Sequence, residues 1–500
     1  MDKYLFLHFN PLNAQHIITC SLHFAALFDS IVLIEIIDKS TMKKAYTLSL
    51  HIFRRDLRLQ DNTALIEALK QSEHVVPCFI FDKRQIEENN YKSLNSIQFM
   101  VNSLNELDQA LRKKNSRLYF FYGIAEEIIK TLILEMPIRA IFHNRDYTPF
   151  SQFRDNHIED VCQQNNVDYH CYADALLHEP EEVLKHDGKP YTVFTPAFRK
   201  ASLLLVRNSK KNNYGNYYHK PITFSNDDII KKLCKNINPN LLVKGGRNEA
   251  QMLLKKISAL GDYKILRDYP AKAATSKLSA HLKFGTLSVR ECHEVICDVF
   301  GKHHTLINEL HWRDFFTHIA HYFPHVFESA FHRKYNALTW SYNETHFQAW
   351  CDGQTGFPIV DAGMRELNTT GYMHNRVRMI TASFLVKDLH IDWRRGEKYF
   401  SNQLVDYDPA VNNGNWQWAA STGCDAQPYF RIFNPWLQQA KFDPDCEYIK
   451  RWVPELAELS NKVIHTLYDA KSLHTPHYPT PIVSHSIESK KAQLLYKYIH

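Results

Sequence analysis

Short apolar runs bounded by polar turns begin at Thr47 and recur at Leu48–Phe53, Val75–Phe81, Leu118–Tyr122 and Ala140–His143. Each has the length of a buried strand. Between the second and third, Ile97, Met100, Val101, Leu104, Leu107 and Leu111 repeat at helical spacing. Strands alternating with helices predict a parallel sheet, so residues 45–175 are expected to form an α/β, Rossmann-like domain. No GxGxxG follows the first strand; Arg54-Arg55-Asp56-Leu57-Arg58 stands there instead, which excludes an NAD-type site. Two readings of these arginines stay open: they face a ligand at the carboxyl edge of the sheet, or they pair with Asp56 or Asp61. Residues 176–250 read as an interdomain linker, because Arg207–Pro221 is polar and shows little periodicity. From there the pattern is helical, giving a larger all-α domain over residues 251–490.

The start of the chain fits neither domain. Ile17–Ile37 is apolar-rich, but His23, Asp29 and Glu35 interrupt it, so no membrane span is expected. Met42-Lys43-Lys44 makes a natural beginning just ahead of the first strand, and residues 1–41 are expected to be an extension without a part in function.

Within the helical half the densest chemistry lies between Asp406 and Trp418. Asp406 and Asp408 frame a tyrosine, Asn412-Asn413-Gly414-Asn415 is expected to turn, and Trp416 and Trp418 follow. In extended chain the two indoles share a side; on a helix they diverge. The segment is either a buried aromatic turn or a wall around a flat, electron-rich ligand. Near residue 380, Val377, Ile380 and Phe384 form a core stripe, while Asn375, Arg378, Met379 and Ala382 form a mixed face. A buried arginine needs a partner, and Asp406 or Asp408 is the candidate for Arg378. Glu309, Trp312, Arg313 and Phe316 share one helix face, either as a surface Glu309–Arg313 pair or as a pocket wall. Thr275-Ser276-Lys277-Leu278-Ser279 gathers hydroxyls and an amine, either to cap a helix or to hold a pyrophosphate.

Composition changes this picture little. In 500 residues, 44% hydrophobic and 23% charged, the net charge of +6 permits a polyanionic partner without requiring one. Ten cysteines without a CxxC pair point to reduced, buried thiols of a cytoplasmic protein, with no metal site. All eight tryptophans lie beyond residue 311, so the two halves differ in kind.

Taken together, Trp312-Arg313-Asp314-Phe315, Tyr372-Met373-His374-Asn375-Arg376-Val377-Arg378-Met379 and Asn412-Asn413-Gly414-Asn415-Trp416-Gln417-Trp418-Ala419-Ala420-Ser421-Thr422-Gly423, with Arg54-Asp56-Leu57-Arg58 near the start, resemble the photolyase/cryptochrome family. Its microbial class I members acting on cyclobutane pyrimidine dimers are the closest in pattern. The resemblance implies FAD, in reduced form (FADH⁻), in the helical domain. Tyr263 and Thr275, Ser276, Lys277, Leu278 and Ser279 would clamp phosphate and ribityl. Arg378 with Asp406 would lie beside the isoalloxazine, Asp408 at its pyrimidine edge and Asn412 near flavin N5. Trp416, Trp393 and Trp340 match an electron-carrying row; by pattern alone, Trp393 and Trp340 read as packing. Damaged DNA, single- or double-stranded, is the implied partner, met by a nucleoid-associated monomer. Glu309, Trp312, Asn375, Met379 and Trp418 would receive the flipped dimer, with Arg267 and Arg376 on phosphates. Histidines of enzymes for the 6-4 photoproduct are replaced by Asn375 and Met379, with His374 one position off. The implied activity is light-dependent dimer repair, a carbon–carbon lyase reaction; the alternative is a cryptochrome-like blue-light receptor that binds FAD without repair. The α/β domain would hold a second, antenna chromophore. Replacement of an Asn-Glu pair at Phe150-Ser151 speaks against folate, and Asn144–Asp155 resembles the deazaflavin branch, so the antenna stays open.

Overall fold

All four expected strands form, and a fifth joins them. The computed structural model describes residues 44–87, 89–235, 237–272, 274–469 and 477–499; the extension assigned to residues 1–41 lies outside them. Strands β1 (Tyr46–Phe53), β2 (Ser72–Asp82), β3 (Tyr119–Gly123), β4 (Ala140–Asn144) and β5 (Asp168–Tyr172) make a parallel sheet ordered β3-β2-β1-β4-β5. Helices α1 (Thr63–Gln71), α2 (Leu94–Arg112), α3 (Ala125–Glu135) and α4 (Pro149–Gln164) connect them. The central strands are almost wholly buried, as expected when helices cover both faces. No apolar run announces β5, because this edge strand is polar and only partly covered.

The polar stretch read as linker is ordered against the sheet. Because β3 pairs with β2 only from Cys78 onward, the earlier part of β2 has an open edge. Asn216–Tyr218 fills it: Val75 N donates to Asn216 O at 3.0 Å and Tyr218 N donates to Val75 O at 2.8 Å. Helices Phe194–Ala201 and Asp228–Leu233 also lie within this stretch.

Beyond it, the helices that matter here are α5 (Ser279–Phe284), α6 (Val289–Phe300), α7 (Thr305–Tyr322), α8 (Pro358–Thr370), α9 (Asn375–Lys387), α10 (Trp393–Gln403), α11 (Pro409–Ala420) and α12 (His485–Lys497). Their shared core includes Trp350, Phe384, Trp393 and Trp416. The α/β and helical halves are joined through α2. Phe99 stacks on Phe284 with centroids 5.1 Å apart, and Ser96 Oγ donates to Leu404 O at 3.0 Å.

The side chains of the sheet-edge arginines take carboxylates other than Asp56 and Asp61, from distant parts of the chain. Arg54 pairs with Asp155 at 2.7 Å; Arg55 pairs with Asp146 at 3.2 Å and, across the halves, with Asp408. Arg58 pairs with Asp174 at 2.5 Å. Asp61 and Asp174 share Arg290 of α6, at 2.9 and 2.7 Å, and all four side chains of this network are at most 4% exposed. Asp56 instead accepts from the Arg54 backbone and from Asn62 and Asn144.

Candidate functional site

The Asp406–Trp418 segment is helical where a turn was expected. Asp408 caps α11, accepting from Ala410 N at 3.1 Å and Val411 N at 3.3 Å, and Pro409 occupies the first turn. Packing overrides the turn preference of Asn-Asn-Gly-Asn. A Cβ on Gly414 would collide with the ring of Phe316, so this glycine lets α11 close against α7. Asn413 and Gln417 are spent on the neighbouring loop, both donating to Val326 O at 3.0 Å. On a helix the indoles diverge: Trp416, 2% exposed, points at Phe400 and Trp350, while half-buried Trp418 faces Phe433.

Arg378 chooses Asp406, at 3.0 Å. Its Nε donates to Met373 O at 2.7 Å and its guanidinium lies over Tyr372, 5.2 Å from the centroid. Ser279 Oγ donates to the same Asp406 oxygen at 2.6 Å, while Asp406 Oδ1 is buried without a partner. Asp408 is committed to Arg55. Burial alone would raise its carboxyl, but Arg55 and Arg313 bring it below the ordinary carboxylate range.

In the Thr275–Ser279 loop none of the hydroxyls caps α5, whose N-cap, Leu278, makes no side-chain bond. Lys277 holds a left-handed φ of 55°, and Thr275, Ser276 and Lys277 stay half-exposed. The cap reading is thereby set aside, although Ser276 Oγ accepts from Leu278 N at 3.4 Å. Tyr263 lies in a short helical turn, Tyr263–Leu266, with the Arg267 guanidinium 5.7 Å from its ring centroid.

Trp340, Trp393 and Trp416 all belong to one buried cluster. Asn412 Nδ2 donates to Glu397 O at 3.3 Å. The Glu397 side chain is buried, which pushes its carboxyl up to about 7, with Asn413 and Asn412 drawing it back. Sequence reasoning missed this group, yet a signal existed: Trp393, Glu397 and Phe400 share one face of α10, and a charge within an apolar stripe marks a buried site.

A second set of residues lies on α7, α9 and the turn after Tyr263. Glu309 pairs with Arg267 rather than Arg313; Arg313 turns instead to Ala175 O at 2.7 Å and Asp314. Loss of water raises the Glu309 pKa, and Arg267 opposes the shift. Trp312 is backed by Phe194 in a parallel stack, centroids 3.6 Å apart and planes within 7°, a support from the supposed linker that no pattern announced. Asn375 is exposed at the start of α9, its Nδ2 3.8 Å from Met379 Sδ. Arg376 pairs with Asp268 at 2.9 Å and lies over Phe442. Among the described residues no helix is long and apolar enough to cross a membrane, and nine cysteines are free thiols.

Two family models match the chain. The FAD binding domain of DNA photolyase covers residues 306–498, and DNA photolyase covers residues 49–211. The deoxyribodipyrimidine photo-lyase of Escherichia coli K12 is 39% identical over 458 residues, spanning 87% of this chain and 95% of that protein. The crystal structure of an archaeal photolyase from Sulfolobus tokodaii, described as holding two FAD molecules, is 44% identical with a TM-score of 0.81, covering 90% of this chain and all of that one. A Synechocystis cryptochrome is 26% identical with a TM-score of 0.82, covering 91% and 100%.

Proposed function

The chain belongs to the DNA photolyase family, and from that premise we infer that it splits cyclobutane pyrimidine dimers in DNA under light, as a monomer with FAD in its helical half. The observation that carries this reading is the Arg378–Asp406 pair, its carboxylate buried, joined through Ser279 Oγ to a loop whose Thr275, Ser276 and Lys277 stay half-exposed. Asp406 Oδ1 is an unpartnered buried acceptor that suits a flavin N–H donor, while Thr275, Ser276 and the Lys277 amine suit phosphate. When bound, reduced FAD supplies a photoexcited donor of one electron.

The chain's own residues hold the lesion and manage charge. Photolyases are among the enzymes known to act on flipped-out bases. Trp312, stiffened from behind by Phe194, offers a stacking platform, and base stacking on an aromatic contributes about 1–3 kcal/mol. Arg376, held by Asp268, and Arg267, paired with Glu309, are the cations assigned to phosphates of an everted strand. Glu309 serves as hydrogen-bond donor to a pyrimidine carbonyl while protonated. Its raised pKa keeps that form present to higher pH than an ordinary glutamate allows. Asp408, tied to Arg55, holds the entry of α11 and with it Asn412 and Trp416.

The α/β half supports a second chromophore at its sheet edge. Arg54 Nη2, Arg154 Nη2 and His143 Nε2 are buried there without partners, three nitrogens suited to a polar ring.

The test is dimer-containing DNA incubated with reduced enzyme under blue light and in darkness. Loss of dimers only in the light is expected; intact dimers despite bound, reduced flavin would leave the cryptochrome-like alternative. Glu309→Ala should slow repair about tenfold, the ~1.5 kcal/mol of a hydrogen bond to a charged group, with DNA binding kept. Wild-type repair should decline as pH rises and Glu309 loses its proton. Glu309→Gln, which keeps a donor at every pH, should flatten that profile; an unchanged profile would remove Glu309 from this role.

A further inference from the structure

Trp340, the most exposed of the three indoles, is still buried, at 8% exposed. Its ring contact leads outward, toward the end of the chain. Tyr496 of α12 meets Trp340 edge-on, centroids 6.5 Å apart with planes at 76°. Tyr429 then lies flat on Tyr496, at 5.9 Å and 4°. Tyr496 is 2% exposed and donates to Ala420 O at 2.6 Å, with the Lys387 amine over its ring. Sealed in this way, Tyr496 has no water to receive its phenol proton and serves as a bridge. Tyr429 is half-exposed, so an electron lost there can be accompanied by a proton released to water.

Tyr429 is also one wall of a groove of about 340 Å³, closed by Phe430, Lys490, Gln493, Leu494 and Lys497. That volume lies within the range of small-molecule sites. The four α12 residues recur at i, i+3, i+4 and i+7, so one helix face lines the groove. Both lysines are exposed. The nearby carboxylate Glu488 is engaged by His390 and Lys491, and no ion pair among the described residues involves Lys490 or Lys497. Two unpaired cations, an amide and a redox-active phenol make a site with a definite charge preference.

We propose that this groove binds a small anionic enediolate reductant of the ascorbate type, which refills the tryptophan row through Tyr429 and Tyr496. The inference rests on the reading of Trp416, Trp393 and Trp340 as an electron-carrying row. An electron drawn inward from Trp416 to light-excited oxidised flavin is replaced stepwise from Trp393 and Trp340, and across Tyr496 from Tyr429. Tyr429 loses one electron and one proton to become a neutral phenoxyl. The enediolate monoanion returns both as a hydrogen atom, restoring the phenol and leaving as its own radical anion. Lys490 and Lys497 hold the donor by charge, and Gln493 offers hydrogen bonds to its hydroxyls.

The test uses the full chain with bound FAD. Under blue light, the rate of flavin photoreduction should saturate with ascorbate concentration. In the double variant Lys490→Glu, Lys497→Glu it should fall about tenfold at low ascorbate, equivalent to ~1.4 kcal/mol of binding, and lose saturation. Tyr429→Phe should slow photoreduction while leaving ascorbate binding in place. With neutral dithiothreitol, charge reversal should change nothing. In darkness, calorimetric titration with ascorbate should show binding to wild type and about tenfold weaker binding to the double variant. A linear dependence on ascorbate in wild type, or an unaltered double variant, would overturn the proposal. Dimer repair by dithionite-reduced enzyme should be equal in all variants. Loss of repair in wild type would therefore strike the functional reading, while the dark titration still judges the groove.

Discussion

Arg290→Ala should destabilise the protein by about 3–4 kcal/mol, because it takes the only ion-pair partner among the described residues from buried Asp61 and one of two from buried Asp174. Arg290 lies on α6 of the helical half and forks onto Asp61 and Asp174, while Arg58 takes the other oxygen of Asp174. Its Nη1 and Nη2 also donate to Asp174 O and Asp61 O at 2.9 and 2.8 Å. No single group replaces that set. Arg290→Lys keeps a charge but not the planar fork, so its loss should be intermediate. Urea unfolding followed by circular dichroism and by tryptophan fluorescence checks this. All tryptophans lie in the helical half, so in the variant their signal should separate from the far-ultraviolet signal as the halves uncouple. The same network sets an acid limit. Burial alone would raise the Asp174 carboxyl, but Arg58 and Arg290 hold it far below the ordinary range. Its stabilisation is complete above the unfolded value of about 3.9 and is lost as pH falls toward the folded value. Arg290→Ala, which keeps Arg58, should therefore lose part of the wild type's acid sensitivity below about pH 4.

Asp406→Ala should give a folded but colourless protein with no light-dependent repair. The substitution removes the partner of Arg378 and of Ser279 Oγ, and deletes the unpartnered oxygen offered to the flavin. Arg378 is about a quarter exposed, so the fold should lose no more than about 2–3 kcal/mol, the low end for breaking a buried pair. Loss of the cofactor is the larger effect. Flavin absorbance after gel filtration measures it directly. Asp406→Asn, isosteric but uncharged, should retain part of the flavin at reduced affinity. Full yellow colour in Asp406→Ala would remove this carboxylate from the cofactor site.

What could be read beforehand divides along physical lines. The central strands were legible because burial on both faces writes a continuous apolar run, whereas β5, an edge strand reading Asp168-Tyr169-His170-Cys171-Tyr172, leaves no such mark. The Asn-Asn-Gly-Asn stretch misled because local turn preference was weighed without Phe316, 98 residues before Gly414, whose ring requires a glycine in α11. Arg378 was legible as a buried cation needing a partner, since that requirement is local; which aspartate answers it was not. Asp408 is taken by Arg55, 353 positions earlier in the chain. The proposed roles of Trp393 and Trp340 came only with the family resemblance, because an indole in a core looks alike whether it packs or conducts. Phe194 behind Trp312 lay in a stretch read as linker, where no periodicity reports a platform.

The ion pair between Arg55 and Asp408 fastens the end of β1 to the first turn of α11. A pigment at the sheet edge and a flavin beside α11 would consequently keep a frozen mutual angle between their transition dipoles. Resonance transfer depends on that angle and on the inverse sixth power of separation, so its efficiency should be nearly independent of temperature and solvent viscosity for as long as this clasp holds.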